Sequence, residues 1–121
     1  VTTDWWTRIP AIRLADAHAR APAGTYMYEF AWPSPAFGGR LGACHGLEIP
    51  FVFDTLSQDA PLLGQFLGDD PPHELASTMH AAWVSFARYD LSRLATMRFN
   101  TTSQVIDDPR SWERALWEGL R

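Results

Sequence analysis

The residues in this chain that could do chemistry are few: four histidines, one cysteine and a scattering of carboxylates. His45 stands out by its setting, in the stretch LGACHGLEIPFVF over residues 41–53. Gly42, Ala43 and Gly46 leave the backbone free to approach other groups and leave an imidazole open to a reactant. Glu48 follows three residues on, tethered to an apolar run, and such a carboxylate is pulled from water and must find a partner. A histidine so placed can serve as a general acid or base near neutral pH. It can equally be a structural histidine in a loop. Spacing does not separate the two, and on the residues alone the structural reading is slightly ahead.

The other candidates lead to weaker chemistry. His73 and His80 are seven apart and no HxxxH or CxxC spacing exists, which argues against a zinc site. His18 sits among alanines at a helix end and is expected to be exposed, and His80 is expected to face solvent or the rim of its helix. Cys44 beside His45 invites a thiol–imidazole pair, but neighbours in an extended segment point opposite ways. Cys44 then reads as a small hydrophobe filling a pocket wall.

The elements that must position these residues can be read from pattern. Residues 2–20 have helical spacing with a cap at Thr3 or Asp4, and Pro10 should kink or restart the helix. TYMYEFAW, bounded by Gly24 and Pro33, reads as a strand with bulky residues on both faces, buried within a sheet. Residues 33–70 are rich in Pro and Gly, and a long ordered loop of this kind is often functional. Leu75, Met79, Ala82, Trp83 and Phe86 form the stripe of a clear helix that starts at Asp70 with Pro71 and Pro72. TMRFN and SQVI read as a β-hairpin around a Thr-Thr pair. The last helix is expected to be capped by Asp108 with Pro109 in its first turn, and its stripe is Trp112, Leu116 and Leu120 with Trp117 beside it.

At 121 residues the chain has the length of one domain, 1–121, with a single core. Charged residues make up 20% and hydrophobic ones 46%, an ordinary globular balance. A net charge of −4 with no basic stripe speaks against nucleic acid as a partner. No apolar run suits a membrane span and no signal leader opens the chain, so a soluble, cytoplasmic protein is expected. Its location stays open because Val1 is not an initiator methionine. Helix, strand, long loop, helix, hairpin and helix make an α+β unit. It holds a small sheet of about three strands packed with three main helices, which would look more natural as the end of a larger sheet.

GACHGLEIPFVF resembles the histidine segment of type B carboxylesterases, the α/β-hydrolase group that includes para-nitrobenzyl esterases and cholinesterases. The match runs through Gly42, Ala43, Cys44, His45, Gly46, Leu47, Glu48 and the run Phe51 to Phe53. The flanks agree in order: TDWWTRIPAIRLADAHA resembles the helix before the last central strand, TYMYEFAW that strand, LASTMHAAWVSFAR the family's Trp-bearing helix, and RLATMRFNTTSQVIDDP the closing hairpin. The resemblance implies the C-terminal end of an α/β-hydrolase fold and an esterase acting on a small carboxylic ester without cofactor or metal. It implies His45 as the triad's general base, Glu48 as support from the layer behind it, and Cys44, Gly46 and Leu47 near the substrate pocket.

Two departures stand against that pattern. The GxSxG nucleophile elbow and the glycine-rich oxyanion loop are absent. In this fold the order is serine, acid, histidine, so the serine and the acid are expected ahead of Val1 in an upstream part of the same enzyme. The chain alone is then expected to be inactive and to self-associate through an open strand edge or bare Trp-rich faces. The second departure is at FARYDLSR, where Arg88 runs straight into Tyr89 and the family has a longer turn. The competing readings are a non-catalytic binding or assembly module of the same fold, and a stand-alone metal or thiol enzyme.

Overall fold

The structure, a computed structural model, describes residues 2–22, 24–56, 63–88, 96–106 and 111–119. They fall into two compact units. One comprises Val1–Met27, Leu91–Thr96 and Val105–Arg121, the other Tyr28–Asp90 and Met97–Gln104. The proposed Asp108 cap and the Arg88–Tyr89 connection lie outside the described residues.

The first unit opens with a wide π-helical turn, Asp4–Arg8, that passes into helix α1, Ile9–His18. Pro10 explains the change of geometry. A proline within a helix lacks an N–H and its ring clashes with the carbonyl four residues back, which here belongs to Trp6. Widening the turn relieves that clash, and the N–H of Ile9 bonds the carbonyl of Asp4, five residues back. The helix therefore runs through the proline by way of this wide turn.

Polar contacts tie the π-helical turn to the last helix, α5, Ser111–Ala115, and α1 to the turn that follows α5. The Arg8 guanidinium donates from Nε to Asp4 Oδ1 at 2.8 Å and from Nη2 to Glu113 Oε2 at 2.7 Å. Arg13 donates to the Trp117 carbonyl at 2.9 Å, and the rings of Trp5 and Trp117 lie 5.6 Å apart. The helix α5 is shorter than the sequence pattern suggests. Its expected stripe is not covered among the described residues, since Trp112 is 68% exposed and Leu116 66%.

The second unit holds the hydrophobic core: Trp32, Leu47, Phe51, Leu67, Leu75, Ala76, Met79 and Phe99. The long Pro/Gly-rich region is not a structureless loop. It contains two one-turn helices, α2 at Ile49–Val52 and α3 at Gly64–Leu67, and a turn at Ala36–Gly39 in which Phe37, Gly38 and Gly39 all have positive φ. Helix α4, His73–Arg88, packs against α2 with Leu75, Ala76 and Met79. Farther along α4 the stripe emerges from cover, with Trp83 40% and Phe86 53% exposed.

Three strands, β1 (Met27–Phe30), β2 (Thr96–Phe99) and β3 (Gln104–Ile106), form one sheet in the order β1-β2-β3. The four-residue connection between β2 and β3 permits only the predicted hairpin. Among the described residues β1 is thus an edge strand. Its Tyr28 is 40% exposed, so β1 is less enclosed than its bulky residues suggest.

Candidate active site

The backbone around His45 is fixed at several points before and after it. Beyond β1 the Ala31 N–H still bonds the Phe99 carbonyl at 2.8 Å, and Trp32 turns into the core. Ser34 then makes an isolated antiparallel bridge with Gly42, its N–H donating to the Gly42 carbonyl at 3.1 Å. The Ser34 hydroxyl is fully buried. It donates to the Phe66 carbonyl and accepts the Ala36 N–H at 3.0 Å. One serine thus joins the exit of β1, the start of the histidine segment and α3.

From Gly42 the chain runs through tight turns, not the extended segment read from sequence. Leu47 N–H bonds the Cys44 carbonyl at 3.2 Å, and Ile49 N–H bonds that of Gly46 at 3.3 Å. Gly46 has φ +80°, a conformation that costs other residues about 1–2 kcal/mol. The turns sort the side chains by face. Cys44 packs against the core and Leu47, 2% exposed, belongs to it, while His45 is exposed. Cys44 and His45 therefore diverge, as the sequence suggested, although the reason is a turn and not an extended strand. Among the described residues no hydrogen bond holds the His45 ring.

Glu48 is half-buried and leads directly into α2, where its carbonyl accepts from Phe51 at 3.0 Å and Val52 at 2.9 Å. Its carboxylate acts on Tyr28 of β1. Burial first, and the Glu48 charge second, raise the Tyr28 phenol above its ordinary value. Tyr28 stands edge-on to both Trp83 and Phe99, with centroids 5.8 and 6.0 Å away.

The other histidines are dispersed. His18 lies in the first unit with Nδ1 2.8 Å from Thr25 Oγ1, and His73 opens α4 on its exposed side. His80 is half-buried, at the rim of its helix and not in open solvent, and its Nδ1 is 2.9 Å from the Val52 carbonyl. Among the described residues no group of three or more His, Cys, Asp or Glu side chains could hold a metal ion. None of their helices is long and apolar enough to cross a membrane. Sequence reasoning missed Ser34 and the partner of His80, since the carbonyls they bond are 32 and 28 residues away.

The sequence pattern of the carboxylesterase family matches residues 1–116. The chain belongs to the carboxylesterase family. Among curated relatives, it is 34% identical over 79 residues to the phenmedipham hydrolase of Pseudarthrobacter oxydans, 63% of this chain and 15% of that protein. It is 33% identical over 79 residues to the para-nitrobenzyl esterase of Bacillus subtilis, 65% of this chain and 16% of that one. A crystal structure of a Geobacillus stearothermophilus carboxylesterase superposes with a TM-score of 0.66 at 37% identity, over 88% of this chain and 24% of its own. The chain thus spans about a sixth of the curated relatives' length and about a quarter of the solved chain. The three-stranded sheet and its helices are the α+β portion of an α/β-hydrolase fold that this likeness covers.

Proposed function

We propose that this chain supplies the general base, His45, to a serine carboxylesterase whose nucleophile, acid and oxyanion donors come from sequence outside these residues. The observation that carries the reading is an exposed imidazole on a fixed backbone. Three residues before it Gly42 is pinned by Ser34, and two residues after it Leu47 is anchored in the core.

That arrangement suits the chemistry. During acylation the His45 ring takes the proton of a serine hydroxyl as its oxygen attacks the ester carbonyl. It then returns a proton to the leaving alcohol. In deacylation it does the same for water. The absence of a side chain at Gly46 leaves room beside the ring. Glu48 supports the turn from behind and is not the triad acid, and Cys44 with Leu47 back the pocket wall from the core side.

The 121-residue chain alone has no GxSxG serine and hence no route to an acyl-enzyme. The substrate class is a small carboxylic ester. The name of the para-nitrobenzyl esterase relative makes a para-nitrobenzyl ester a natural probe. The test compares the chain alone with the chain joined to a serine-bearing carboxylesterase segment. The joined protein should hydrolyse the ester, and His45→Ala should lower kcat by about 10⁴-fold or more. The chain alone should give no turnover above its own His45→Ala control. Turnover by the isolated chain that depends on Cys44, or joined activity indifferent to His45, overturns the proposal.

A further inference from the structure

His45 stands just ahead of a very short helix, and the far end of that helix is held by a histidine that the ester chemistry does not use. Helix α2 has four residues, too few to persist by its own hydrogen bonds. Its carbonyls at Ile49, Pro50 and Phe51 accept from the N–H groups of Phe53, Thr55 and Asp54 just beyond it, which leaves the Val52 carbonyl to a partner from elsewhere. Beyond those local bonds, what steadies it is tertiary. Phe51 is fully buried, with its ring centroid 5.1 Å from those of both Phe30 and Trp32. Pro50 is buried beside it.

The polar part of that support is His80. Its Nδ1 lies 2.9 Å from the Val52 carbonyl. A carbonyl only accepts, so Nδ1 must carry the hydrogen and a neutral ring keeps its lone pair on Nε2. His80 follows Met79, one of the fully buried residues of α4, so its backbone is set by the core. The bond spans 28 residues and joins the end of α2 to the middle of α4. The turns over residues 44–48 run without a break into α2, and the Val52 N–H bonds the Glu48 carbonyl, so the end of α2 that His80 holds is linked directly to the end of the turn that carries His45.

The geometry points to His80 as a positioning residue for His45: by donating from Nδ1 to Val52, it holds α2 so that the preceding turn keeps the His45 backbone in one place. This rests on the reading of His45 as the general base. His80 itself touches no reacting atom.

The first measurement uses the unaltered 121-residue chain with ¹⁵N-labelled histidine. His80 should be protonated at Nδ1 in its neutral form, and a ring protonated at Nε2 overturns the assignment without any variant. The second compares His80→Ala, His80→Gln and His80→Asn. Asparagine restores an N–H near the place of Nδ1, glutamine places it near Nε2, and neither restores the ring. Amide exchange at Ile49 and Val52 should be about tenfold faster in the alanine and glutamine variants, as expected for one hydrogen bond of ordinary net strength. It should return towards the unaltered rate in the asparagine variant. Unchanged exchange in His80→Ala, or an asparagine variant no better than alanine, overturns the inference.

In the chain joined to a serine-bearing segment, His80→Ala should lower kcat with KM unchanged, and His80→Asn should recover it. An unchanged kcat leaves the bond a purely structural one and overturns the positioning role. Full activity of His45→Ala in that protein overturns the base assignment instead. The tautomer and exchange measurements separate the two failures, because they read His80 without any catalysis.

Discussion

The two units of this chain keep their shape by different means. In the unit with His45 the aromatic rings of Phe30, Trp32 and Phe51 pack on Leu75, Ala76 and Met79, and most of the core is aliphatic or aromatic carbon. In the unit with α1 and α5 the described buried residues are only Ile9 and Thr25. There Arg8 bridges two carboxylates, and Trp6 and Leu14 are 71% and 72% exposed. Apolar burial holds a backbone in one place, whereas ion pairs near a surface contribute little and are screened by salt. The histidine that could do chemistry is therefore carried by the part of the chain with its own core.

The largest effect should come from breaking that core. Phe51→Ala removes a fully buried ring beside the His45 turn and should cost about 3–5 kcal/mol. Urea unfolding followed at Trp32 should show the loss, and a change below about 1 kcal/mol would mean the core is not what holds α2. A smaller break targets the Ser34 anchor. Gly68 has φ +76°, and a Cβ built there would lie 2.8 Å from Pro35 Cγ. Gly68→Ala should cost about 1–3 kcal/mol from backbone strain, and the segment 34–36 should be the part displaced.

How much of this was legible in the sequence depends on the range of the forces involved. Helix α4, strand β1 and the β2–β3 hairpin were readable because apolar spacing and turn residues are local signals. The π-helical turn was readable only as trouble at Pro10, since the way a helix absorbs a proline depends on which carbonyl bond is cheapest to move. The region 33–70 hid α2 and α3, because helices of four residues are created by burial of Phe51 and Leu67 and not by propensity. The stripe of Trp112 and Leu116 was read correctly as apolar, but pattern says nothing about whether a face has a cover. His45 and Glu48 could be singled out by their glycines and apolar neighbours. Ser34 and the bond that His80 makes could not, since a hydrogen bond to a distant backbone carbonyl leaves no residue-type signature.

The weaker unit should respond most to charge. Arg8→Ala removes both of its ion pairs and should cost about 1 kcal/mol, sensed at Trp5 and Trp117 with little change at Trp32. Added salt should reduce the difference between variant and parent. The Arg8 guanidinium beside Asp4 holds that carboxyl below its ordinary value. A depressed carboxyl contributes stability above its unfolded pKa, and the contribution is lost as pH falls through the folded value. Acid, below about pH 4, should thus loosen the contact between the π-helical turn and α5, an effect absent in Arg8→Ala. Equal acid sensitivity at Trp32 and Trp117 would erase the contrast between the units.

The smallest effect lies on the alkaline side and belongs to the other unit. Tyr28 is raised above its ordinary 10.0, by burial first and by the Glu48 carboxylate second. The folded chain then keeps the phenolic proton at a pH where the unfolded chain has lost it. That preference stabilises the fold fully below pH 10 and is lost as pH rises from 10 through the raised value. Phenolate absorbance should show Tyr28 ionising later than an exposed tyrosine, and Tyr28→Phe should remove that late step. Glu48→Gln should move the step down only part of the way, because burial is the larger cause and remains. If Glu48→Gln returned Tyr28 all the way to its ordinary value, charge and not burial would dominate beside the His45 turn. The apolar character assigned to this unit would then fail where it matters, at the edge of the candidate active site.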